Sequence, residues 1–341
     1  MRFPSVLLSV ETHVAPSGIL YNWRFTHGYN LSPPSGLKSL SRSTTMTDSN
    51  IPGHNRSYCR SITSGQCNEL TNPLEKNLMP EGHTIHRIAR DHQKWFAGQK
   101  LIVTSPQGRF EDEAQRVSGK KLREVTAHGK HLFYHWNRNL IGHIHLGLYG
   151  KFRVHKNPAP EPRGAVRVRM IGEAKSFDLN GPNCCEIITQ KKHDELRLRL
   201  GEDPLRADAS AELVWQKIQK SRSAIGSLLL NQSVIAGVGN VYRAEILFLL
   251  GIHPQLQANE LERATFDKMW KLTVELLQIG VKHNRIITAG FDATGKVPKR
   301  LKSSERLNIY KRAHCPSCDA PVKTWQLANR KMYACGKCQK L

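Results

Sequence analysis

Between residues 82 and 96 apolar side chains return at helical spacing (Ile85, Ile88, Ala89, Phe96) with polar residues between them. This run predicts an amphipathic helix, with Thr84 available as N-cap and Gly98 as terminator. After Leu101 the pattern changes. Short β-prone runs at 101–105, 121–126, 132–136, 140–145, 152–155, 165–170, 176–179 and 186–189 are broken by turn residues. Many short strands at close spacing predict an antiparallel sandwich or barrel. Near Asp208, expected to be an N-cap before Leu213, Val214 and Ile218, the period becomes helical again. A long amphipathic run then goes from Leu261 through Met269, Leu272 and Leu276 to Ile279. Between these, residues 225–254 read as two helical pieces joined through Gly237 and Gly239. Asn240 stands where the second piece begins, a terminus whose N–H groups and positive dipole end suit a phosphate. Residues 282–306 are basic and aperiodic and are expected to form a mobile loop.

Residues 1–78 are rich in Ser, Thr, Asn, Pro and Gly and show no sustained periodicity, which predicts disorder. Their first 47 positions contain one acid, Glu11. The segment reads first as sequence lying upstream of the true start, and second as a targeting segment. With 341 residues, 39% of them hydrophobic, the chain has room for two or three folded domains. The net charge of +23 points to an anionic polymer as partner. The first 78 residues supply only 7 of the 51 basic and 4 of the 28 acidic side chains, so the basic excess belongs to the remainder. No run approaches the roughly 18 apolar residues of a membrane span, so nucleic acid is the first candidate.

Cys315, Cys318, Cys335 and Cys338 form two C-x2-C knuckles separated by sixteen residues. This spacing predicts one structural Zn2+ with a closed sphere of four thiolates, and a reducing setting. Asn329, Arg330 and Lys331 fall at the tip of the hairpin between the knuckles. Cys59, Cys67, Cys184 and Cys185 show no partner pattern, and the adjacent Cys184 and Cys185 read as a strand placing one thiol inside. His143 and His145 share one strand face, but no third ligand stands at a suitable spacing, so they read as ordinary histidines.

Met79-Pro80-Glu81-Gly82 reads like the beginning of a protein. If Pro80 were the first residue, its secondary amine could attack an electrophilic sugar carbon, with a carboxyl beside it to move protons. Embedded in a chain, the same nitrogen is an amide with a delocalised lone pair.

Four motifs, in this order and at these separations, resemble the formamidopyrimidine-DNA glycosylase and endonuclease VIII (Fpg/Nei) family: Met79-Pro80-Glu81-Gly82, Gly129-Lys130, the turn from Ala236 to Glu245, and the terminal four-cysteine finger. The resemblance covers residues 79–341, and Pro-Glu-Gly after the methionine is similar to the endonuclease VIII branch. It implies an α+β multidomain fold: a disordered extension over 1–78, an N-terminal β-sandwich with a flanking helix over 79–200, a helix-two-turn-helix domain over 201–308 and a β-hairpin zinc finger over 309–341.

The resemblance also implies roles. Pro80 would be the nucleophile at C1′, Glu81 the proton shuttle, and Lys130 a phosphate contact and proton donor in β-elimination. Arg330 would hold the phosphate beside the lesion and assist δ-elimination. Leu148 and Tyr149 fall where the family fills the space left by an everted base, although a core role for Tyr149 remains open. Asn240 and Arg199 would contact phosphate. The implied activity is a bifunctional DNA glycosylase and abasic-site lyase of base excision repair, acting on oxidised bases, pyrimidines first, in double-stranded DNA. The alternatives are a catalytically inactive damaged-DNA-binding protein of the same fold and an RNA-binding zinc-ribbon protein. A monomer without membrane association is expected, cytoplasmic and nucleoid-associated in a bacterium, or in an organelle or nucleus if residues 1–78 target it.

Overall fold

The structure, a computed structural model, describes residues 80–291, 296–297 and 301–341. The expectations for residues 1–78, including Cys59 and Cys67, and for Met79 lie outside the described residues. The first helix, α1 (Gly82–Phe96), buries Ile85, Ala89 and Phe96 of the stripe its periodicity predicts; Ile88 is only partly buried, and His92, polar and not among the apolar residues of that stripe, is buried with them. Its N-cap is Glu81 rather than Thr84. Thr84 already lies in the first turn, where its N–H donates to the Glu81 carbonyl at 2.9 Å.

Eight strands follow: β1 (Ile102–Thr104), β2 (Glu124–His128), β3 (His131–Asn137), β4 (Leu140–His145), β5 (Lys151–Lys156), β6 (Val166–Ile171), β7 (Lys175–Asn180) and β8 (Cys184–Ile188). They form two antiparallel four-stranded sheets ordered β1-β6-β7-β5 and β2-β3-β4-β8. Alternate residues of both sheets (Leu132, Tyr134, Trp136 and Ile144 from one; Val103, Val168, Met170 and Phe177 from the other) make one core, joined by Ile85, Ala89 and Phe96 of α1. That interdigitation is what period-two patterning on two facing sheets produces.

Two helices escape the sequence reading. α2 (Glu111–Val117) buries only Ala114 and Val117. α3 (Gln190–Arg199) is polar nearly all round and buries only His193, so it leaves no apolar stripe to read. Its signal is the cap, since the Thr189 hydroxyl accepts from the Lys192 N–H.

The helical region contains α4 (Ala211–Gln219), α5 (Ile225–Leu228), α6 (Asn240–Leu249) and α7 (Arg263–His283). The cap of α4 is Ser210 rather than Asp208; its side chain accepts from the Leu213 N–H. Asp208 is held instead by Arg206 at 2.7 Å. The finger hairpin, β9 (Val322–Leu327) and β10 (Arg330–Cys335), places Met332, Tyr333 and Cys335 in the same core as α4, α6 and α7. The segment expected to be a mobile loop is tied at its described ends, where Ile286, Ile287 and Thr288 are buried. The Thr288 hydroxyl and the N–H groups of Asn308, Ile309 and Tyr310 all donate to the buried carboxylate of Glu245. Among the described residues no helix is long and apolar enough to cross a membrane.

Candidate active site

Glu81 begins α1, is 3% exposed, and turns its carboxylate to the start of α6. The Gly239 N–H donates to Oε2 and the Val241 N–H to Oε1, each at 2.9 Å. Gly239 leaves room for this contact, because a Cβ there would lie 2.3 Å from the carboxyl carbon of Glu81 and displace it. Burial pushes the Glu81 pKa above the usual carboxylate value, opposed by the Lys130 charge and the N–H groups of Val241, Tyr242 and Gly239. A carboxylate of the same chain therefore takes the Gly239 and Val241 N–H groups at this helix start, while Asn240 between them lines the cleft.

Lys130 stands with Gly129 in the tight turn between β2 and β3, where Gly129 has φ +58° and a Cβ would lie 2.8 Å from that of Ala236. The Gly129 N–H donates to Asp203, a buried carboxylate also held by His86 at 2.6 Å. The Lys130 ammonium donates to the Val238 carbonyl at 2.9 Å. Its pKa is lowered, first by burial and further by Arg330, while Glu81 opposes the shift. Gln232 donates to the same Val238 carbonyl and accepts from the Gly237 N–H, fixing the turn that carries Gly239.

Arg330 opens β10 just after Ala328 and Asn329, both left-handed at φ 53° and 58°. The hairpin tip is bolted to α6: buried Arg243 donates to the Leu327 carbonyl at 3.0 Å, and Asn240 donates to the Lys331 carbonyl at 3.0 Å. Burial lowers the Arg243 pKa to about 10. Beyond the tip, the Sγ atoms of Cys315, Cys318, Cys335 and Cys338 lie within 4.8 Å of one another, with Cys315–Cys338 at 3.8 Å and Cys318–Cys335 at 3.5 Å. Four thiols so clustered fit a tetrahedral Zn2+, which would be structural because no position is left open.

These elements enclose a cleft of about 920 Å³ lined by Glu81, Lys130, Leu148, Asn240 and Arg330 among others. Pro80, half-buried, precedes Glu81 in the chain and is not itself among the residues that line the cleft. Leu148 and Tyr149 project from the turn after β4, 47% and 80% exposed, so Tyr149 is no core residue. Arg199 is exposed at the end of α3 and does not line the cleft. The sequence reading missed Asn183, Asn231, Gln232 and Tyr310, which do line it. Only the place of Asn231 and Gln232, just before the glycine turn, could have pointed to them.

The model of the formamidopyrimidine-DNA glycosylase N-terminal domain matches residues 79–203, and that of the formamidopyrimidine-DNA glycosylase H2TH domain matches residues 200–292. Endonuclease 8 1 of Mycobacterium tuberculosis (strain ATCC 25618 / H37Rv) is 43% identical over 267 residues, 76% of this chain and 100% of its own length. Formamidopyrimidine-DNA glycosylase of Lactococcus lactis subsp. lactis is 26% identical over 273 residues, covering 76% and 99%. The solved complex of Lactococcus lactis Fpg with DNA containing an abasic site superposes with a TM-score of 0.64 at 25% identity, over 76% of this chain and 100% of that one. A second complex of the same protein, with DNA containing N7-benzyl-Fapy-dG, gives 0.64 at 24% identity over 77% and 100%. The chain therefore belongs to the formamidopyrimidine-DNA glycosylase and endonuclease VIII family and is endonuclease 8-like.

Proposed function

We propose that this protein is a DNA glycosylase of base excision repair that removes oxidised bases, pyrimidines first, from duplex DNA and then nicks the strand as an abasic-site lyase. The observation that carries the reading is the buried Glu81 carboxyl, held by the first peptide groups of α6 in a cleft that also receives Lys130 and Arg330. A carboxyl of raised pKa retains its proton closer to neutrality, as a general acid at a sugar oxygen requires.

The target nucleotide leaves the stack, because its C1′ is inaccessible within a duplex, and Leu148 and Tyr149, exposed on the turn after β4, serve as the wedge that replaces it. The Pro80 secondary amine attacks C1′; the base departs with the bonding electrons, and Glu81 protonates the ring oxygen as the sugar opens to an iminium. Removal of a C2′ proton then expels the 3′ phosphate, and a second elimination releases the 5′ phosphate. Lys130, an ammonium beside Glu81, serves as phosphate contact and proton donor in the first elimination. Arg330, exposed at the finger tip, grips a phosphate through its fork of donors in the second. Cys315, Cys318, Cys335 and Cys338 would hold a Zn2+ whose role is structural, giving rigidity to that tip.

This chemistry requires a chain whose first residue is Pro80. Cyanoborohydride trapping on a thymine-glycol duplex is expected to give a covalent adduct with protein beginning at Pro80 and none with protein retaining residues 1–79, though both bind DNA. A covalent adduct from the longer chain would assign the nucleophile elsewhere. Binding without an adduct from either chain would make this a damaged-DNA-binding protein without catalysis.

A further inference from the structure

We propose that the outer face of the β2-β3-β4-β8 sheet carries a second metal site, formed by His143, Cys184 and Glu186, that takes one divalent ion of the zinc class. The sequence reading set His143 aside for want of a third ligand at local spacing. The ligands come instead from β8, paired antiparallel to β4 with His143 opposite Glu186 and His145 opposite Cys184. Residues 184, 186 and 188 share the face that carries His143, because the alternate residues Cys185 and Ile187 pack into the sandwich core.

The donor atoms form a compact triangle. His143 Nδ1 lies 2.9 Å from Glu186 Oε1 and 3.7 Å from Cys184 Sγ, and Cys184 Sγ lies 3.4 Å from Glu186 Oε1. Bonds of about 2.0–2.3 Å in a tetrahedral sphere separate neighbouring donors by about 3.3–3.8 Å. Two edges fall in that range, and the third opens to it by a few tenths of an ångström. The surrounding contacts leave the donors free to face an ion. His143 Nε2 is 2.9 Å from His131 Nδ1, the second-ring-nitrogen contact that orients a metal-bound imidazole. Lys192 takes the other carboxylate oxygen of Glu186 at 2.7 Å, leaving Oε1 as a single ligand. His143 is buried while Cys184 and Glu186 are partly open, so an ion has a way in.

One imidazole, one thiolate and one carboxylate suit a borderline divalent ion rather than Mg2+ or Ca2+, and three protein ligands leave a position for water. Unlike the finger, this site would be open. An ion there would clamp the end of β4 to the start of β8. Gly147, Leu148 and Asn183, which flank those strand ends, line the cleft, so occupancy would stiffen the wall from which the exposed wedge projects.

The test uses the full chain with zinc in its finger. Equilibrium dialysis against micromolar Zn2+ followed by elemental analysis is expected to give two ions per wild-type chain and one in Cys184→Ser or His143→Ala. Co2+ added to chain that holds zinc in its finger alone should produce a visible band with a thiolate charge-transfer component that Cys184→Ser removes. His131→Ala should weaken the second ion by about tenfold through loss of its orienting contact. Cys184→Ser is close to isosteric, so an unchanged circular dichroism spectrum separates loss of a ligand from loss of fold. One ion in the wild type, with no cobalt band that depends on Cys184, would overturn the proposal and leave a hydrogen-bonded His131–His143–Glu186 chain.

Discussion

Gly239→Ala tests whether the start of α6 positions the acid. The residue has φ −122° and ψ −165°, extended backbone that alanine adopts without strain, so the substitution acts through its methyl group alone. That methyl would sit 2.3 Å from the Glu81 carboxyl carbon and 2.6 Å from its Cγ and Oε1. Either the side chain swings away or α6 retreats; both outcomes break the bonds from Gly239 and Val241. Hydrogen bonds to a charged group are worth about 1.5–3 kcal/mol each, so the carboxylate loses a hold of about 3–6 kcal/mol. Overpacking a close-packed site costs the fold about 1–3 kcal/mol. The expected signature is therefore uneven: base release in single turnover falls by about 10²–10⁴, the scale of general acid catalysis, while the protein stays folded. Ile218→Val, a buried methylene loss of about 0.5–1.5 kcal/mol remote from the cleft, controls for destabilisation and should leave the rate unchanged. If Gly239→Ala releases base within about threefold of wild type, α6 does not position Glu81 and the argument from these hydrogen bonds fails.

His92 is buried against Phe177 and bonded to the Tyr134 hydroxyl at 2.6 Å, and burial lowers its pKa from 6.5 to about 3. A depressed histidine pKa gives stability that is present above 6.5 and lost as pH falls towards 3, about 2 kcal/mol of it by pH 5. Urea unfolding at pH 7 and pH 5 should show this loss, and an equal loss in His92→Leu would assign it to other groups. Cys335→Ser should remove one zinc per chain and lower DNA affinity while the sandwich, whose core excludes the finger, stays folded; unchanged zinc content would contradict this. Arg330→Ala should weaken DNA binding and shift product ends from δ- to β-eliminated on a sequencing gel. An unaltered ratio would remove Arg330 from the second elimination.

What the sequence made legible was local. Strand β4 lies at 140–145 as its short β-prone run predicts, and its burial does not alternate because one face meets the sandwich core and the other meets α3. The helix at Asn240 begins where the glycines place it. α3 was illegible because an almost wholly polar helix has no period, and the His143 cluster because β8 joins β4 across forty residues of intervening chain. The motifs named Glu81, Lys130 and Arg330, but nothing local told that the first of these is capped by peptide groups 158 and 160 residues away. Arg199 lies exposed at the end of α3 in a run that also holds Arg197, and helical geometry turns neighbouring positions in different directions, so register alone does not single out one arginine of that run.

Those distant peptide groups explain why the acid and the DNA-facing region answer to one constraint. Glu81 belongs to the helix that packs on the sandwich, and the N–H groups that hold it belong to the helix that Arg243 and Asn240 bolt to the finger tip. The Gly82 N–H donates to the Gly237 carbonyl at 2.8 Å, and the Lys130 ammonium to the Val238 carbonyl, so the same turn receives both motifs and leads into the helix that holds the finger tip. A shift of α6 relative to α1 would change the solvation of Glu81, the spacing of Lys130 and the reach of Arg330 together. The carboxyl can keep its raised pKa only while that junction excludes water, since burial is the largest cause of the shift. In the proposed reaction, proton donation at the sugar would be conditional on the closed contact between the sandwich and the helical region, and the glycines at the junction are what allow the contact to close.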